Sequence, residues 1–423
     1  MVALAGLVAA ANEPPVDGNT VQAVEFFDAA PVEEAAAAFP LIGWWGPPPS
    51  GANLSIYRQA FLNWAPIALR RTRADTLDDA QEQNLKVVLD LPANTPLQLE
   101  RIPDAVRDHP AVVACIVAEG VTGETAGEAV RRVEVLREWM PDWVPVATIV
   151  ASPDDPAWEA AAASLAAAGA PVLPWILPFA EDGTTDESGL YGVLRAAADA
   201  AEHGGVPLWG IVQVTEHTDR RRASESDMRL QAYASLAHGA RGLVYYTYWG
   251  PPPGRVDEDH PLASFGVSMV DAGRGRPAYG HQMARVINAE ITLLSPYLEQ
   301  LEPLGVYFAG EIPEGGEPLP AGAGPITRVD SARAMVGYFR GPDGADWAMV
   351  VNRQHGMLRS ARTQGRTMGI VFDDSVTAIH AIERQSGLAI PVPVEDGYFT
   401  ITLPGGTGNL LRFERGEPDG NGP

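Results

Sequence analysis

Eight short apolar runs, separated by longer stretches of helical character, constrain this chain more than any other feature of it. The runs are PLIGWWG (40–46), WAPIALRR (64–71), KVVLDLP (86–92), AVVACIVAE (111–119), VPVATIVA (144–151), PVLPWILPF (171–179), PLWGIVQVT (207–215) and GLVYYTYW (242–249). Each is continuous in apolar residues and does not alternate, the pattern of strands covered on both faces. Between them lie AGEAVRRVEVLREWM (126–140), DPAWEAAAASLAAAG (155–169) and GLYGVLRAAADAAEHG (189–204), and YGHQMARVINAEITLLSPYLEQL (279–301) follows the last. Strand and helix alternating eight times predicts an α/β fold, a closed (β/α)8 TIM barrel over residues 40–301. An open doubly wound sheet would carry a glycine-rich phosphate turn after its first strand, and GWWGPPPSGANL does not match G-x-G-x-x-G.

Beyond residue 301 the texture changes. EIPEGGEPLPAGAGP is rich in glycine and proline, so 302–327 reads as a linker or loop. ARAMVGYFRG, DWAMVVNRQ, TMGIVFDD, VTAIHAIER, GYFTITLPG and GNLLRFER follow, with turn signals such as GPDGAD between them. They predict a small antiparallel β-sandwich over 328–415, with 416–423 a disordered tail. The lead-in, 1–39, begins MVALAGLVAAANEPP. This suits the apolar core and cleavage site of an export signal but lacks its positively charged start. It reads either as a truncated signal, which would make the protein secreted or periplasmic, or as a disordered tail, which leaves the cytoplasm open. Its apolar part falls well short of the roughly 20 residues a membrane-spanning helix needs.

Fifty-four acidic against 30 basic residues give a formal charge of −24. That balance repels nucleic acid and anionic membranes, and leaves a neutral or cationic ligand. The single cysteine, Cys115, excludes an intrachain disulfide, and inside an apolar run it reads as a buried, inert thiol. No cofactor motif is present. His109, His217, His260 and His281 show no metal-ligand spacing, so neither a metal nor a cofactor is expected. Ser224 before Asp227 reads as a helix cap, and the absence of a G-x-S-x-G elbow disfavours an esterase.

In (β/α)8 enzymes the reacting groups project from the C-terminal ends of the strands. That rule selects Trp44 and Trp45 after the first strand, Arg70 and Arg71 after the second, Asp90 on the third and Glu119 at the end of the fourth. It adds Gln213 and Glu216 at the seventh and Tyr246 and Trp249 at the eighth. Aromatic rings beside carboxylates suit a sugar, because flat apolar rings stack on pyranose faces while the acids move protons or attack. Glycoside hydrolysis asks for two carboxyl groups about 5–5.5 Å apart for retention or about 6.5–9.5 Å for inversion. Glu119 is the expected general acid/base, with Glu216 or Asp90 as its partner. Trp44, Trp45, Arg70, Gln213, Tyr246 and Trp249 are expected to line the substrate.

SESDMRLQAYASLAHGARGLVYYTYW (224–249) resembles the seventh-helix and eighth-strand segment of glycoside-hydrolase-like TIM barrels. DHPAVVACIVAEG (108–120) is similar to the same group's fourth strand, in which HPAV leads to D-E-P. VINAEITLLSPYLEQL (286–301) and GGTGNLLRF (405–413) look alike too. The resemblance implies a barrel with a C-terminal β-sandwich and a carbohydrate-active or carbohydrate-binding role, with Glu119 at the position of the family's strand-four glutamate. Ala118 stands where the pattern has an acid and the large retaining clan has Asn, and Gly120 stands where the pattern has Pro. Gln213 occupies the seventh strand, with Glu216 beyond it. Three readings follow: an enzyme cleaving a poly- or oligosaccharide, a barrel that binds carbohydrate without cleaving it, and a surface or assembly protein whose sandwich mediates contacts.

Overall fold

The computed structural model describes residues 39–91, 99–217, 219–250, 265–394 and 396–416. The candidate export signal, His260 and residues 417–423 of the tail lie outside them.

Eight parallel strands form the barrel: β1 (Leu41–Gly43), β2 (Trp64–Ala68), β3 (Lys86–Asp90), β4 (Val112–Val121), β5 (Val144–Val150), β6 (Pro174–Trp175), β7 (Gly210–Gln213) and β8 (Leu243–Tyr246). They neighbour one another in the order β6-β5-β4-β3-β2-β1-β8-β7. Between β6 and β7 the ring closes through one parallel bridge: Val172 N–H donates to Pro207 O at 3.0 Å, and Trp209 N–H donates to Val172 O at 2.9 Å. The sixth run, read as a strand over 171–179, contributes only two residues of regular strand. Pro171, Pro174 and Pro178 fall inside it, and proline has no N–H to give to a ladder.

Around the barrel run α1 (Gly51–Gln59), α2 (Ala74–Glu82), the short α3 (Asp104–Arg107), α4 (Ala126–Trp139), α5 (Ala157–Ala168), α6 (Glu187–Gly204), α7 (Glu225–Ala237) and α8 (Tyr279–Leu298). Side chains alternate across the strands. Ile42, Trp44, Trp64, Val88, Ala114, Ile116, Val146, Leu173, Trp209, Ile211, Val244 and Tyr246 fill the interior. Leu41, Ala65, Val87, Leu89, Cys115, Val117, Ile149 and Val212 face the helices. The barrel is therefore a packed core, and a ligand can enter only at its ends. Cys115 is buried as expected, and burial pushes its thiol up, out of the reactive range. Among the described residues no helix is long and apolar enough to cross a membrane.

A two-strand hairpin, β9 (Val270–Asp271) with β10 (Arg276–Pro277), precedes α8. The C-terminal unit is a sandwich of two antiparallel sheets. One holds β11 (Glu302–Gly310), β13 (Arg333–Arg340), β14 (Asp346–Asn352), β19 (Gly408–Arg415), β16 (Val376–Ile382) and β17 (Ala389–Pro391), in that order. The other holds β12 (Ile326–Asp330), β15 (Arg366–Phe372) and β18 (Tyr398–Leu403). The stretch 302–327 is thus not all linker. Its first nine residues form the edge strand β11, which pairs with β13 from Glu302 to Gly310.

The larger sheet is buried on both faces. On β13 and β14, Ala334, Val336, Tyr338, Ala348 and Val350 point into the sandwich, while Met335, Phe339, Trp347, Met349 and Val351 point at the barrel. Between sheet and barrel lies α7, whose residues are buried from Ser226 to Ala237. Its sequence is rich in alanine and serine, which lets the sheet approach closely. At Gly337 a Cβ would stand 2.3 Å from the Ala237 carbonyl oxygen, so only glycine fits there. Ser224 opens α7 as expected: its Oγ accepts from Asp227 N–H while the Asp227 carboxylate accepts from Ser224 N–H.

An ion network ties the two units together beside this cap. Glu187, at the start of α6, takes Arg353 at 2.5 Å and Arg333, both from the sandwich. Arg353 is fully buried with its guanidinium over the rings of Tyr191 and Phe308. His355 bridges Asp227 (2.8 Å from Nδ1) and Glu187 (3.3 Å from Nε2), and Arg221 holds the other oxygen of Asp227 at 2.5 Å.

Candidate active site

Glu119 lies within β4, two residues before its end, and strict alternation would point it away from the interior. Ile116 faces inward opposite Val146, so Ala118 should face inward and Glu119 outward. The ladder to β5 shifts register between Ile116 and Ala118, and Ala118 pairs instead with Ala147, on the outer layer. Val117 and Ala118 both turn outward, which aims Glu119 at the mouth of the barrel, where its side chain stays open to solvent. A second shift before Val121 restores the pattern, with Val121 opposite Ile149 in the outer layer. Gly120 carries this second shift at φ +65°. Bulges of this kind re-aim single side chains, and they recur beside active sites.

At the mouth, the Glu119 carboxylate is held by two indoles. Trp44 Nε1–H donates to Oε1 at 2.7 Å and Trp45 Nε1–H donates to the same oxygen at 3.2 Å. Trp44 is 1% exposed, so it is no stacking surface, and its role is to hold the carboxylate. Trp45 stands at the rim, half-buried, with φ +54° at its backbone. Its ring lies 5.1 Å from Phe265 and 5.8 Å from Tyr246, and Tyr246 lies 4.9 Å from Trp175 of β6. Burial, and then the charge of Glu119, push the Tyr246 phenol up. Trp175 and Phe265 were not among the expected site residues. Trp175 hides in a proline-broken strand, and nothing in the chain near Phe265 marks it as part of a barrel interior.

Asp90 ends β3, one strand from Glu119, and is half-buried. Burial and the neighbouring Glu119 charge raise its carboxyl to about 6, with the Arg70 guanidinium offsetting part of the rise. Arg70 itself is exposed, in the helical turn Leu69–Arg71 that follows β2. The mouth therefore brings together a carboxyl group whose proton is lost only at about pH 6 and a second carboxylate fixed by two N–H donors, walled by aromatic rings.

The other expected residues are placed differently. Gln213 is fully buried and faces no ligand: its amide donates to Arg221 O at 2.6 Å and to Phe179 O at 3.3 Å and accepts from Phe179 N–H at 3.2 Å. Three backbone partners occupy it, so it braces the β6 and β7 loops. Glu216 is exposed beyond β7, in the space that a side chain at Gly266 would need, next to Phe265. Trp249 bonds through its backbone to Trp45 O at 3.0 Å, but its ring packs against the outer layer instead of the mouth. His217 stacks edge-on to Phe265 at 4.3 Å, with burial lowering its pKa. His281 meets Ile56 O and His109 sits in the turn before β4, both in structural positions. Among the described residues no group of three His, Cys, Asp or Glu side chains could hold a metal ion.

The solved chains this one is similar to are glycoside hydrolases. One is a β-galactosidase from the psychrophilic Marinomonas ef1 (12% identity, 62% of each chain covered, TM-score 0.46). Another is a GH27 β-L-arabinopyranosidase from Geobacillus stearothermophilus (11% identity, 92% of this chain and 99% of that one, TM-score 0.46). A third is an endo-β-1,4-mannanase from Thermotoga petrophila (12% identity, 89% of this chain and 95% of that one, TM-score 0.41). No family model matches the sequence, and no curated protein does.

Geometry also explains one departure from the D-E-P pattern. The residue after the glutamate is at φ +65°, and a proline, locked near −65°, could not occupy it.

Proposed function

We propose that the mouth of the barrel cleaves a glycosidic bond in a poly- or oligosaccharide, with Asp90 as the acid and Glu119 as the carboxylate that acts at the anomeric carbon. The observation that carries this reading is the pairing of unlike carboxyl groups on neighbouring strands: Asp90, raised to about 6, beside Glu119, which accepts from Trp44 and Trp45. Two titratable groups held in unlike environments are the arrangement acid/base chemistry requires. Asp90 would protonate the leaving oxygen while Glu119 attacks the anomeric carbon or directs a water to it. The acid role, expected at Glu119, thereby passes to Asp90. Trp45, Trp175, Tyr246 and Phe265 supply apolar rings for a sugar face. A polymeric substrate also suits the exported location that the first residues suggest.

The test is a panel of α- and β-linked oligosaccharides incubated with the wild type and with Glu119→Gln, following reducing ends. The reading expects release by the wild type and its loss in the variant, with an unchanged melting temperature. One observation favours a second reading, a barrel that binds glycan without cutting it: the seventh strand offers only the occupied Gln213, with Glu216 past its end. Glycan binding that depends on Trp45, with no reducing ends after long incubation, would select that alternative.

A further inference from the structure

The bulge that aims Glu119 at the mouth creates a backbone problem. At Gly120 the chain leaves the regular ladder to β5, so its N–H lacks the carbonyl that a regular strand would offer. Gly120 is half-buried, and an N–H withdrawn from water without a partner costs up to roughly 1–3 kcal/mol, enough to favour a slip back to ordinary pairing. That slip would restore strict alternation and send Glu119 away from the mouth.

One side chain supplies the missing acceptor. Thr148 lies on β5, two residues past the inward-facing Val146, and is 3% exposed. Its Oγ1 accepts from Gly120 N–H at 2.8 Å. Trp175 and Val150 stand against Gly120 from the same side, 3.8 Å from where a Cβ would be, so the bulge is packed as well as bonded. The Thr148 hydroxyl meets the backbone of the bulge, and its influence on Glu119 passes through that backbone.

We infer that Thr148 is a positioning residue: its hydroxyl holds the Gly120 bulge, and the bulge aims Glu119 at the indoles of Trp44 and Trp45. The consequence for turnover rests on the glycoside-cleaving reading above, while the consequence for structure does not.

Two measurements on the full chain keep these apart. The first uses the indole N–H resonances of Trp44 and Trp45, identified by Trp44→Phe and Trp45→Phe. Thr148→Val, close in shape but without the acceptor, is expected to move both resonances in the direction that Glu119→Ala moves them, and Thr148→Ser to leave them in place. On any oligosaccharide the wild type cleaves, Thr148→Val should lower kcat about tenfold to a hundredfold with KM within about twofold, and Thr148→Ser should restore it. Indole resonances that stay put in a folded Thr148→Val chain would overturn the inference. The second measurement needs no variant and serves if Thr148→Val does not fold. The Gly120 amide in the wild type should exchange with solvent as slowly as neighbouring ladder amides of β4, and rapid exchange would overturn the inference. If the wild type cleaves no glycoside, the functional reading fails, while the indole and exchange results still decide the role of Thr148.

Discussion

Trp44, just after β1, and Glu119 on β4 are joined across the barrel mouth by an indole N–H donating to a carboxylate oxygen at 2.7 Å. Two intervening strands separate them in the sheet, so the bond exists only because the sheet closes and because β4 is bulged. Replacing Trp44 by Phe removes the donor and keeps an aromatic ring. A hydrogen bond to a charged group is worth about 1.5–3 kcal/mol. If that energy is used to hold Glu119 for reaction, Trp44→Phe lowers kcat/KM by roughly tenfold to a hundredfold. A steady-state assay beside a melting curve checks this, and an undiminished kcat/KM would remove Trp44 from the machinery.

Gly120 tests the bulge from the backbone side. A Cβ there would meet nothing closer than 3.8 Å, so Gly120→Ala is strained only by its left-handed φ of +65°. The expected cost is about 1–2 kcal/mol, measured by denaturant unfolding. Gly120→Pro cannot adopt that φ and should cost several-fold more.

The junction between barrel and sandwich predicts a pH window for stability. Burial alone would raise Glu187 and Asp227, but hydrogen bonds and charge from His355, Arg353, Arg333 and Arg221 hold both at about 2. Burial would lower His355, but Asp227 and Glu187 raise it above 6.5. Stability from the depressed carboxyls is present above their unfolded values near 4 and is lost as pH falls toward 2. Stability from the raised histidine is present below its unfolded value of 6.5 and is lost as pH climbs through its folded value. The melting temperature should therefore peak between about pH 4.5 and 6.5. His355→Gln should flatten the alkaline side of that peak, and an identical slope in the variant would assign it to other groups.

Arg353 is the centre of the same network, fully buried between Tyr191 and Phe308 with Glu187 on its guanidinium. Truncating one partner of a buried ion pair strands the other charge. Arg353→Ala should thus destabilise the chain by about 3–5 kcal/mol. Arg328→Ala, at an exposed pair with Asp330, should cost well under 1 kcal/mol and serves as the control.

The barrel was legible because strands covered on both faces leave continuous apolar runs, and all eight runs place a strand where the sequence expects one. The sixth was legible only in outline, since its prolines shorten the ladder. Strands of an antiparallel sandwich commonly alternate apolar and polar residues, but β14 is buried at every position because its outer face packs on α7. That burial depends on a neighbouring unit, which local periodicity does not encode. Glu119, Asp90, Trp45 and Tyr246 were found from their places at strand ends, and they do meet. Gln213 and Trp249 were selected by the same rule but face elsewhere, because strand-end position fixes a Cα and not the direction of its side chain. The β4 bulge left one trace in the chain, the glycine at 120.

The pH dependence of glycoside cleavage by the wild type and Asp90→Asn tests the central claim most directly. If Asp90 is the acid, the wild-type kcat/KM falls above an ionisation near pH 6, and Asp90→Asn loses turnover at every pH while still binding the sugar. A variant that keeps the wild-type rate and the same alkaline limb would contradict the account.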